Sequence, residues 1–383
     1  MKNGWTGGQY SLCRALLGVY LFVHFAALLP WAGEIFSNRG VLPGAVGPLL
    51  HLFPNVLALT DSPIVVVSLI TVAAVASICF SAGLYDRTAA LVVLYALACL
   101  FRRNPIIANP TLPFVGGLLL WHVWLPPSPY GSWSARTRID PRGGWSVPPW
   151  LFAAAWIVMS VGYSYRGFTK LVSPSWVDGT PLARWPALGL ELAYAPLARL
   201  RRARPWIWVA MIGLHLSMVL ADFAEFSLGM VLVHLFTFDP QWVPSRWSER
   251  RDILFYDGTC GLCHGATRFV LSEDRRGTAF TFAPLQGDTF AGMIANNERS
   301  ALPDSVIVRT EAGELLTRSD AVIYILQRLG GLWRVIGVAL PVIPQGLRNR
   351  AYDFVASVRY RLFARAHSVC PILPPDLRAR FQA

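Results

Sequence analysis

Apolar residues are concentrated in long blocks between Ser11 and Trp242, whereas residues 246–383 have the charge content of an ordinary soluble domain. With 54% hydrophobic residues in 383, the whole chain is too apolar for a typical soluble protein. We therefore predict an integral membrane protein of two domains. Residues 1–245 are expected to form an all-α polytopic membrane helical bundle, and residues 251–383 a separate C-terminal α/β domain.

Eight apolar segments are long enough, or nearly so, to cross a hydrocarbon core of about 30 Å. They are residues 11–30, 63–82, 88–101, 111–125, 149–165, 186–198, 205–222 and 224–240. If all eight cross, most basic residues between them fall on the side of both termini. The positive-inside rule then predicts a bacterial inner (cytoplasmic) membrane protein whose second domain is cytoplasmic. If residues 186–198 lie only in the interface, that domain moves to the outer face.

The charge pattern argues against a nucleic-acid partner and for a lipid bilayer. The net charge of +12 comes almost entirely from arginine, since Lys2 and Lys170 are the only lysines. Such a bias is typical of genome composition. No soluble segment interleaves basic and aromatic residues as a nucleic-acid-binding surface would.

Residues 252–270 combine the elements of a redox site. The apolar run 253–256 predicts a buried strand, Asp257 and Gly258 break it, and Cys260 and Cys263 then open an amphipathic helix. The free amides and positive dipole at a helix start stabilise a thiolate, here that of Cys260. Strand, Cys-x-x-Cys and helix in this order are typical of a thioredoxin-like redox-active centre.

We predict that Cys260 attacks a disulfide and that Cys263 resolves the mixed disulfide. This exchange needs no cofactor, and its partner is a protein or small-molecule thiol or disulfide. Asp257 lies close enough in sequence to accept a proton from a thiol. Its alternative role is to cap the following helix.

The rest of the second domain predicts the order β-α-β-α-β-β-α of a minimal thioredoxin fold. The expected elements after the first strand and helix are a strand at 279–283, a helix at 289–298, a hairpin of 305–309 with 314–317, and a helix at 320–329. Pro303 precedes a strand, where such folds often hold a cis-proline. Residues 332–363 alternate apolar residues with arginine at helical spacing. They either pack on the domain or lie as an amphipathic element on the anionic inner leaflet.

Structural zinc is the alternative to redox chemistry. Cys260 and Cys263 with His367 and Cys370 supply four ligands of the right types for a tetrahedral site. A strand directly before the first pair favours the redox interpretation, so no metal is our primary prediction. A zinc-stabilised, non-catalytic membrane scaffold stays open as an alternative.

Polar residues inside the apolar blocks are candidates for function. His215 and Asp222 are seven residues apart and share a helix face. Lys170 follows an apolar segment directly. Partly withdrawn from water, its ammonium becomes a usable base, or it reaches outward to a lipid phosphate.

The segment around Lys170 resembles the transmembrane domain shared with vitamin K-dependent gamma-carboxylase, called the HTTM domain. The resemblance spans residues 5–243 and rests on two stretches. These are Gly167-x-x-Lys170-Leu171…Trp176-Val177-x-Gly179, and His215 followed by Phe226-Ser227-Leu228-Gly229-Met230. It implies that Lys170 is the base that deprotonates a reduced quinone, and that Lys170, His215 and Trp176 bind a quinone-like lipid. Residues 103–109 lack the histidine of the carboxylase, so carboxylation of glutamate is not expected.

Residues 251–383 resemble the DCC family of thiol-disulfide oxidoreductases. The matching motifs are Tyr256-Asp257-Gly258-x-Cys260-x-Leu262-Cys263, Phe282-Ala283-Pro284-Leu285-Gln286, Asp304-Ser305-Val306, Ser319-Asp320-Ala321, Arg359-Tyr360-Arg361-x-Phe363, and Cys370 with Pro374. The resemblance implies thiol-disulfide exchange at the Cys-x-x-Cys pair.

Overall fold

The computed structural model describes residues 3–42, 53–107, 109–177, 185–220, 224–245, 251–363 and 374–382. The first part of the chain, here called the helical part, consists of helices and their connections. Its helices are α1 (Gly7–Leu28), α2 (Ala32–Phe36), α3 (Val56–Leu59), α4 (Pro63–Ala82), α5 (Asp86–Arg103), α6 (Leu112–Val123), α7 (Pro149–Leu171), α8 (Pro174–Val177), α9 (Trp185–Arg199), α10 (Arg204–Val219) and α11 (Ala224–Leu235).

Each of the eight apolar segments predicted from the sequence overlaps one of the longer helices over most of its length, so the helical prediction is confirmed. Two stretches of the described chain are long and apolar enough to cross a membrane, judged by length and composition: Gly7–Phe36 and Pro63–Ala82. Leu112–Val123 and Ala224–Leu235 are apolar but shorter. Crossing by all eight segments stays a prediction.

Local sequence sets the ends of these helices. Pro63 occupies the first turn of α4, where its missing N–H costs no hydrogen bond. The same helix ends at Gly83, whose φ of +71° lies in the left-handed region that favours glycine. A Cβ at Gly83 would also meet the side chains of Ser132 and Arg14.

The helix ends gather at two opposite ends of the helical part. At one end the indole N–H of Trp5 donates to the carbonyl of Phe238 at 2.9 Å. At the other end His24 contacts Glu225 at 2.7 Å, and residues 61 and 103 form an ion pair. We call the first the near end, because the second domain lies against it, and the second the far end.

The second part, here called the sheet domain, contains a four-stranded mixed sheet. Its elements are β1 (Asp252–Tyr256), α12 (Gly261–Glu273), β2 (Phe280–Pro284), α13 (Asp288–Met293), α14 (Asn296–Ala301), β3 (Ile307–Arg309), β4 (Leu315–Thr317), α15 (Arg318–Leu329), α16 (Gly331–Ala339), α17 (Gln345–Leu362) and α18 (Pro375–Arg378). The strand order is β2-β1-β3-β4; β1 pairs parallel with β2 and antiparallel with β3, and β3 pairs antiparallel with β4.

The predicted order of elements is confirmed, with two differences. The single helix expected at 289–298 is the pair α13 and α14, separated by an extended backbone at Ile294 and Ala295. The expectation of a cis-proline at Pro303 is wrong, because the peptide bonds of the described residues are all trans.

Alternating side chains of the strands fill two cores, one on each face of the sheet. Leu254 and Phe280 pack with α12 and α15 on one face. Phe255 and Ile307 pack with α13 on the other. The Cys-x-x-Cys helix therefore belongs to the layer formed by α12 and α15.

Helix α12 lies along the near end of the helical part. The hydroxyl of Tyr130 donates to the carbonyl of Gly265 at 3.4 Å, and Arg268 donates to the carbonyl of Arg138. Further along, the guanidinium of Arg275 donates to a carbonyl of the helical part at 2.9 Å. Contacts with the helical part therefore accompany α12 from Gly265 to just beyond its C-terminal end.

The carboxylate of Glu273 is buried where the end of α12 meets the helical part. Glu273, the last residue of α12, accepts hydrogen bonds from the Gly8 amide at 3.0 Å, from the Trp333 indole at 2.6 Å and from the Thr6 hydroxyl. Gly8 lies in the first turn of α1, where free amides and the helix dipole favour an anion. Burial raises the pKa of Glu273 and outweighs the opposing effect of these hydrogen bonds.

The raised pKa of Glu273 predicts a pH-dependent stability. Since the folded chain holds this proton more tightly than the unfolded chain does, stability falls as pH rises through the interval between the ordinary pKa and the raised one. Glu273→Gln is expected to remove that fall, while Glu273→Ala leaves buried donors unpaired and costs about 3 kcal/mol. The measurement is the thermal midpoint of the full chain in detergent between pH 4 and 8. Parallel curves for wild type and Glu273→Gln would contradict the assignment.

Candidate redox site

The two cysteines lie at the start of α12, as predicted. Cys260 is the N-cap residue, and its Sγ accepts a hydrogen bond from the Cys263 N–H at 3.4 Å. The preceding turn is closed by the amide of Cys260, which donates to the carbonyl of Asp257 at 3.3 Å. Strand β1 and this turn therefore hold the thiol of Cys260 at the N-terminus of α12.

The two thiols differ in exposure. Both are free, Cys260 is 0% exposed and Cys263 is half-buried. Burial, and then the neighbouring Cys260, raise the pKa of Cys263 to about 12, while the positive charge of Arg359 acts in the opposite direction. Because Cys260 is covered, an attack by it on a disulfide requires a local opening.

The carboxylate of Asp257 accepts hydrogen bonds from four residues around the turn. One oxygen accepts from the Thr259 amide and hydroxyl, both at 2.9 Å, and from Gln286 at 3.1 Å. The other accepts from Tyr360 and from Arg359 at 3.4 Å. Burial opposes ionisation, but these hydrogen bonds outweigh it and lower the pKa of Asp257. An acidic, fully hydrogen-bonded carboxylate is a weak proton acceptor.

The alternative role of Asp257, capping α12, is wrong. The cap is Cys260, and Asp257 instead stabilises the turn before the helix. His264, next to the pair, donates its ring N–H to the carbonyl of Gly258 at 2.9 Å. Burial lowers the pKa of His264, so this ring brings no positive charge to the thiols near neutral pH.

Helix α17 contributes the residues that sequence reasoning missed at this site. Arg359 is buried and donates to both oxygens of Asp304, at 2.7 and 2.9 Å, as well as to Asp257. The Tyr352 hydroxyl accepts from the amide of Val306 at 2.9 Å and lies near Cys263. The matched family motifs included Arg359, Tyr360 and Asp304, but nothing in their sequence spacing indicated that they meet Asp257.

The zinc alternative falls partly outside the described residues, because His367 and Cys370 belong to residues 364–373. Within the described ranges, no group of three or more His, Cys, Asp or Glu side chains is arranged to hold a metal. Cys260 and Cys263 therefore have no third ligand in the part of the chain that the structure describes.

In the helical part, Lys170 is paired with a carboxylate that the sequence analysis did not identify. Its ammonium donates to both oxygens of Glu191, at 2.6 and 2.8 Å, and lies 5.0 Å from the ring centroid of Trp176. Glu191 comes from α9 and is almost fully buried. The structure thus brings Lys170 and Trp176 together, as predicted for a shared site.

His215 lies in a different cluster. The hydroxyl of Tyr163 is 2.7 Å from Nε2 of His215 and 2.7 Å from Nε2 of His234, and all three residues are buried. The Nδ1 atoms of both histidines have no hydrogen-bond partner within the described part of the chain. The partner predicted for His215, Asp222, lies outside the described residues.

Comparisons with known proteins concern the sheet domain. The family described as DCC1-like thiol-disulfide oxidoreductase matches residues 254–365. The uncharacterized protein YuxK of Bacillus subtilis is 32% identical over 133 residues, which are 34% of this chain and 92% of that protein. A chloroplastic DCC family protein of Arabidopsis thaliana, At1g52590, is 28% identical over 120 residues, 31% of this chain and 69% of that protein.

No solved structure matches the chain. The family match begins inside β1 and gives no support to the HTTM resemblance of residues 5–243. It includes the cysteine pair, Asp257, Gln286, Asp304 and the Arg359–Tyr360 segment. Through residues 254–365, the chain belongs to the DCC1-like thiol-disulfide oxidoreductase family.

Proposed function

We propose that this protein is a membrane-anchored thiol-disulfide oxidoreductase whose reacting groups are Cys260 and Cys263. The thiolate of Cys260 attacks a substrate disulfide, forms a mixed disulfide and releases one substrate thiolate, which takes up a proton. Cys263 then loses its proton and attacks Cys260 Sγ. The second substrate thiol leaves, and an intramolecular disulfide remains. The substrate gains two electrons and the protein loses them; a thiol substrate runs the steps in reverse.

The observation that carries this proposal is the position of the pair at the start of α12. Cys260 Sγ lies at the helix N-terminus, where the helix dipole is positive, and accepts the Cys263 amide at 3.4 Å. The second thiol is one helical turn away, in reach of the first. The family to which residues 254–365 belong is described by this chemistry.

Membrane anchoring is supported by a helical part that exposes apolar side chains and buries several charged ones within its apolar core. Large apolar side chains are exposed along α1 and α4, the two helices in the stretches long and apolar enough to cross a membrane. Buried positions of the same part include charged or polar side chains such as Arg14, Arg103 and His234. In water, these exposed apolar side chains would be unfavourable, whereas in lipid their exposure is favourable.

Exposed aromatic side chains at the helix ends support the same setting. At the near end they are Tyr85, Trp124, Trp150 and Trp206, and toward the far end Trp31, Tyr165 and Trp185. Tryptophan and tyrosine are enriched at both membrane–water interfaces. We place the sheet domain, which contacts the near end, on the cytoplasmic side of a bacterial inner membrane, following the distribution of basic residues.

A second candidate function is quinone-linked redox chemistry in the helical part, with Lys170 as base. The Lys170–Glu191 pair beside Trp176 favours it, since charged residues within an apolar helical segment are functional candidates and this ion pair is partly withdrawn from water. The fit is incomplete, because Glu191 already binds the ammonium and His215 belongs to a separate cluster. The HTTM resemblance and a quinone-like lipid as ligand stay part of this second proposal.

Mass-tagged alkylation across a dithiothreitol redox series tests the two functions together. We expect one two-electron transition that links Cys260 and Cys263 in the purified full chain. If thiol-disulfide exchange is the function, Lys170→Met is expected to leave the midpoint of this redox transition unchanged. If the second function is correct, the same variant is expected to abolish quinone-dependent oxidation of the cysteine pair. Thiols that stay unlinked under oxidising conditions, and that label only after a chelator is added, would replace the redox site by zinc.

A further inference from the structure

Helix α17 is amphipathic, but its apolar face is exposed and a polar face packs on the domain. Apolar residues recur along it at positions i, i+4, i+7, i+8 and i+11, which places them on one helix face. They are Leu347, Ala351, Phe354, Val355 and Val358. This stripe points outward, and Phe354 is 69% exposed. The neighbouring face, with Arg348, Tyr352 and Arg359, packs on the sheet domain.

The exposed apolar surface continues into the segment before α17. Val335 and Val338 on α16 are exposed, and so are Val342 and Ile343 in the turn that follows, with Val342 at 87%. No charged residue occurs between Arg334 and Arg348. In a domain that faces only water, such a surface is an unfavourable arrangement and indicates a contact surface.

This surface lies on the side of the sheet domain that carries the helical part. Helices α12 and α15 cover one face of the sheet, and α16 and α17 pack on the outside of that layer. The near end of the helical part also contacts α12 from outside. Helix α16 begins in direct contact with it: the amide of Gly331 donates to Val243 at 2.7 Å, and Leu332 belongs to the core of the helical part.

The flanks of the stripe carry positive charge. Arg350 and Arg361 are exposed and lie along the same edge of the apolar face, about three helical turns apart. Basic residues beside an exposed apolar face are the pattern of helices that lie in the surface of an anionic bilayer. A second protein copy would be expected to offer acidic residues opposite these arginines, but the chain has only 22 acidic residues against 34 basic ones.

We propose that the apolar stripe of α17, with Val335, Val338, Val342 and Ile343, lies in the surface of an anionic lipid bilayer. This inference rests on the proposed membrane setting of the helical part. It adds that the sheet domain itself is seated on the lipid. Since the buried face of α17 contacts Asp257 and lies near Cys263, the same helix joins the lipid surface to the cysteine pair.

Photocrosslinking in nanodiscs of phosphatidylglycerol and phosphatidylcholine tests this proposal. Phe354 is replaced by p-benzoyl-phenylalanine in the full chain, and adducts are identified by mass spectrometry. Two matched positions serve as controls: Val72, exposed on α4, and Met293, exposed on α13 at the opposite face of the sheet. We expect lipid adducts at 354 and 72, with about tenfold more at 354 than at 293. Omitting phosphatidylglycerol is expected to lower the adduct at 354 about fivefold.

The outcomes separate this inference from the proposed function. A lipid adduct at 72 but not at 354 overturns the inference and leaves membrane anchoring intact. An adduct at 354 with a second copy, or with another protein, also overturns it and names the true occupant. If neither 354 nor 72 reacts with lipid, the membrane setting itself is wrong, and the inference falls with it.

Discussion

Replacing Cys263 with serine is expected to abolish the two-electron transition and to trap a mixed disulfide on Cys260. In the wild-type chain the thiol of Cys263 displaces the bound substrate thiol, and a serine hydroxyl does not do so. The reciprocal variant, Cys260→Ser, is expected to react about 100-fold more slowly, because burial raises the pKa of Cys263 to about 12 and leaves little thiolate near neutral pH. Intact-protein mass spectrometry after incubation with oxidised glutathione measures both adducts.

The opposite pattern would reassign the attacking thiol. Cys263 is half-buried whereas Cys260 is covered, so accessibility alone would favour Cys263. Accumulation of adduct on Cys260→Ser, with none on Cys263→Ser, would show that Cys263 is the attacking thiol and that accessibility determines which thiol attacks. Cys79→Ser, which removes a thiol of the helical part, is the control and should change neither rate. If both active-site variants stay unmodified, the proposed exchange chemistry is lost.

Much of the architecture could be predicted because it depends on local sequence. The apolar segments predicted the longer helices, since length and composition are local properties, and Pro63 and Gly83 fixed the ends of α4. The strand, turn and helix around Cys260 were predicted for the same reason. Strand β1 and helix α12 are each encoded by a continuous stretch whose periodicity is readable.

The pairings around the site could not be predicted, because each joins residues far apart in the chain. Asp257 and Arg359 are 102 residues apart, and Lys170 and Glu191 belong to different helices. The sequence around an arginine such as Arg359 does not indicate which distant carboxylate it will pair with. The pattern at 332–363 left two alternatives open. The structure shows a polar face of α17 packed on the domain and an apolar face exposed, and contact of that apolar face with lipid stays a prediction.

Replacing Arg359 with methionine is expected to release α17 from the redox site. The side chains of Arg359 and Asp257 are 3% and 7% exposed, and removing one partner of such a buried pair costs about 3–5 kcal/mol. The contact with Asp304 adds little, since that carboxylate is largely exposed. Hydrogen exchange of the full chain measures the effect: protection of the α17 amides should fall about 100-fold or more. Alkylation of Cys260 should become faster in the same sample.

Two further variants show whether the buried charge is the cause. Arg348→Met removes an arginine from the same helix whose partner, Asp320, is more exposed, and is expected to cost about 1 kcal/mol or less. Combining Arg359→Met with Asp257→Asn removes the uncompensated carboxylate, and should recover part of the lost protection if desolvation dominates. Equal losses for Arg348→Met and Arg359→Met would mean that α17 is held by packing alone. The Tyr360 hydroxyl, which also donates to Asp257 from α17, would then be the remaining polar contact that ties this helix to the turn before the cysteines.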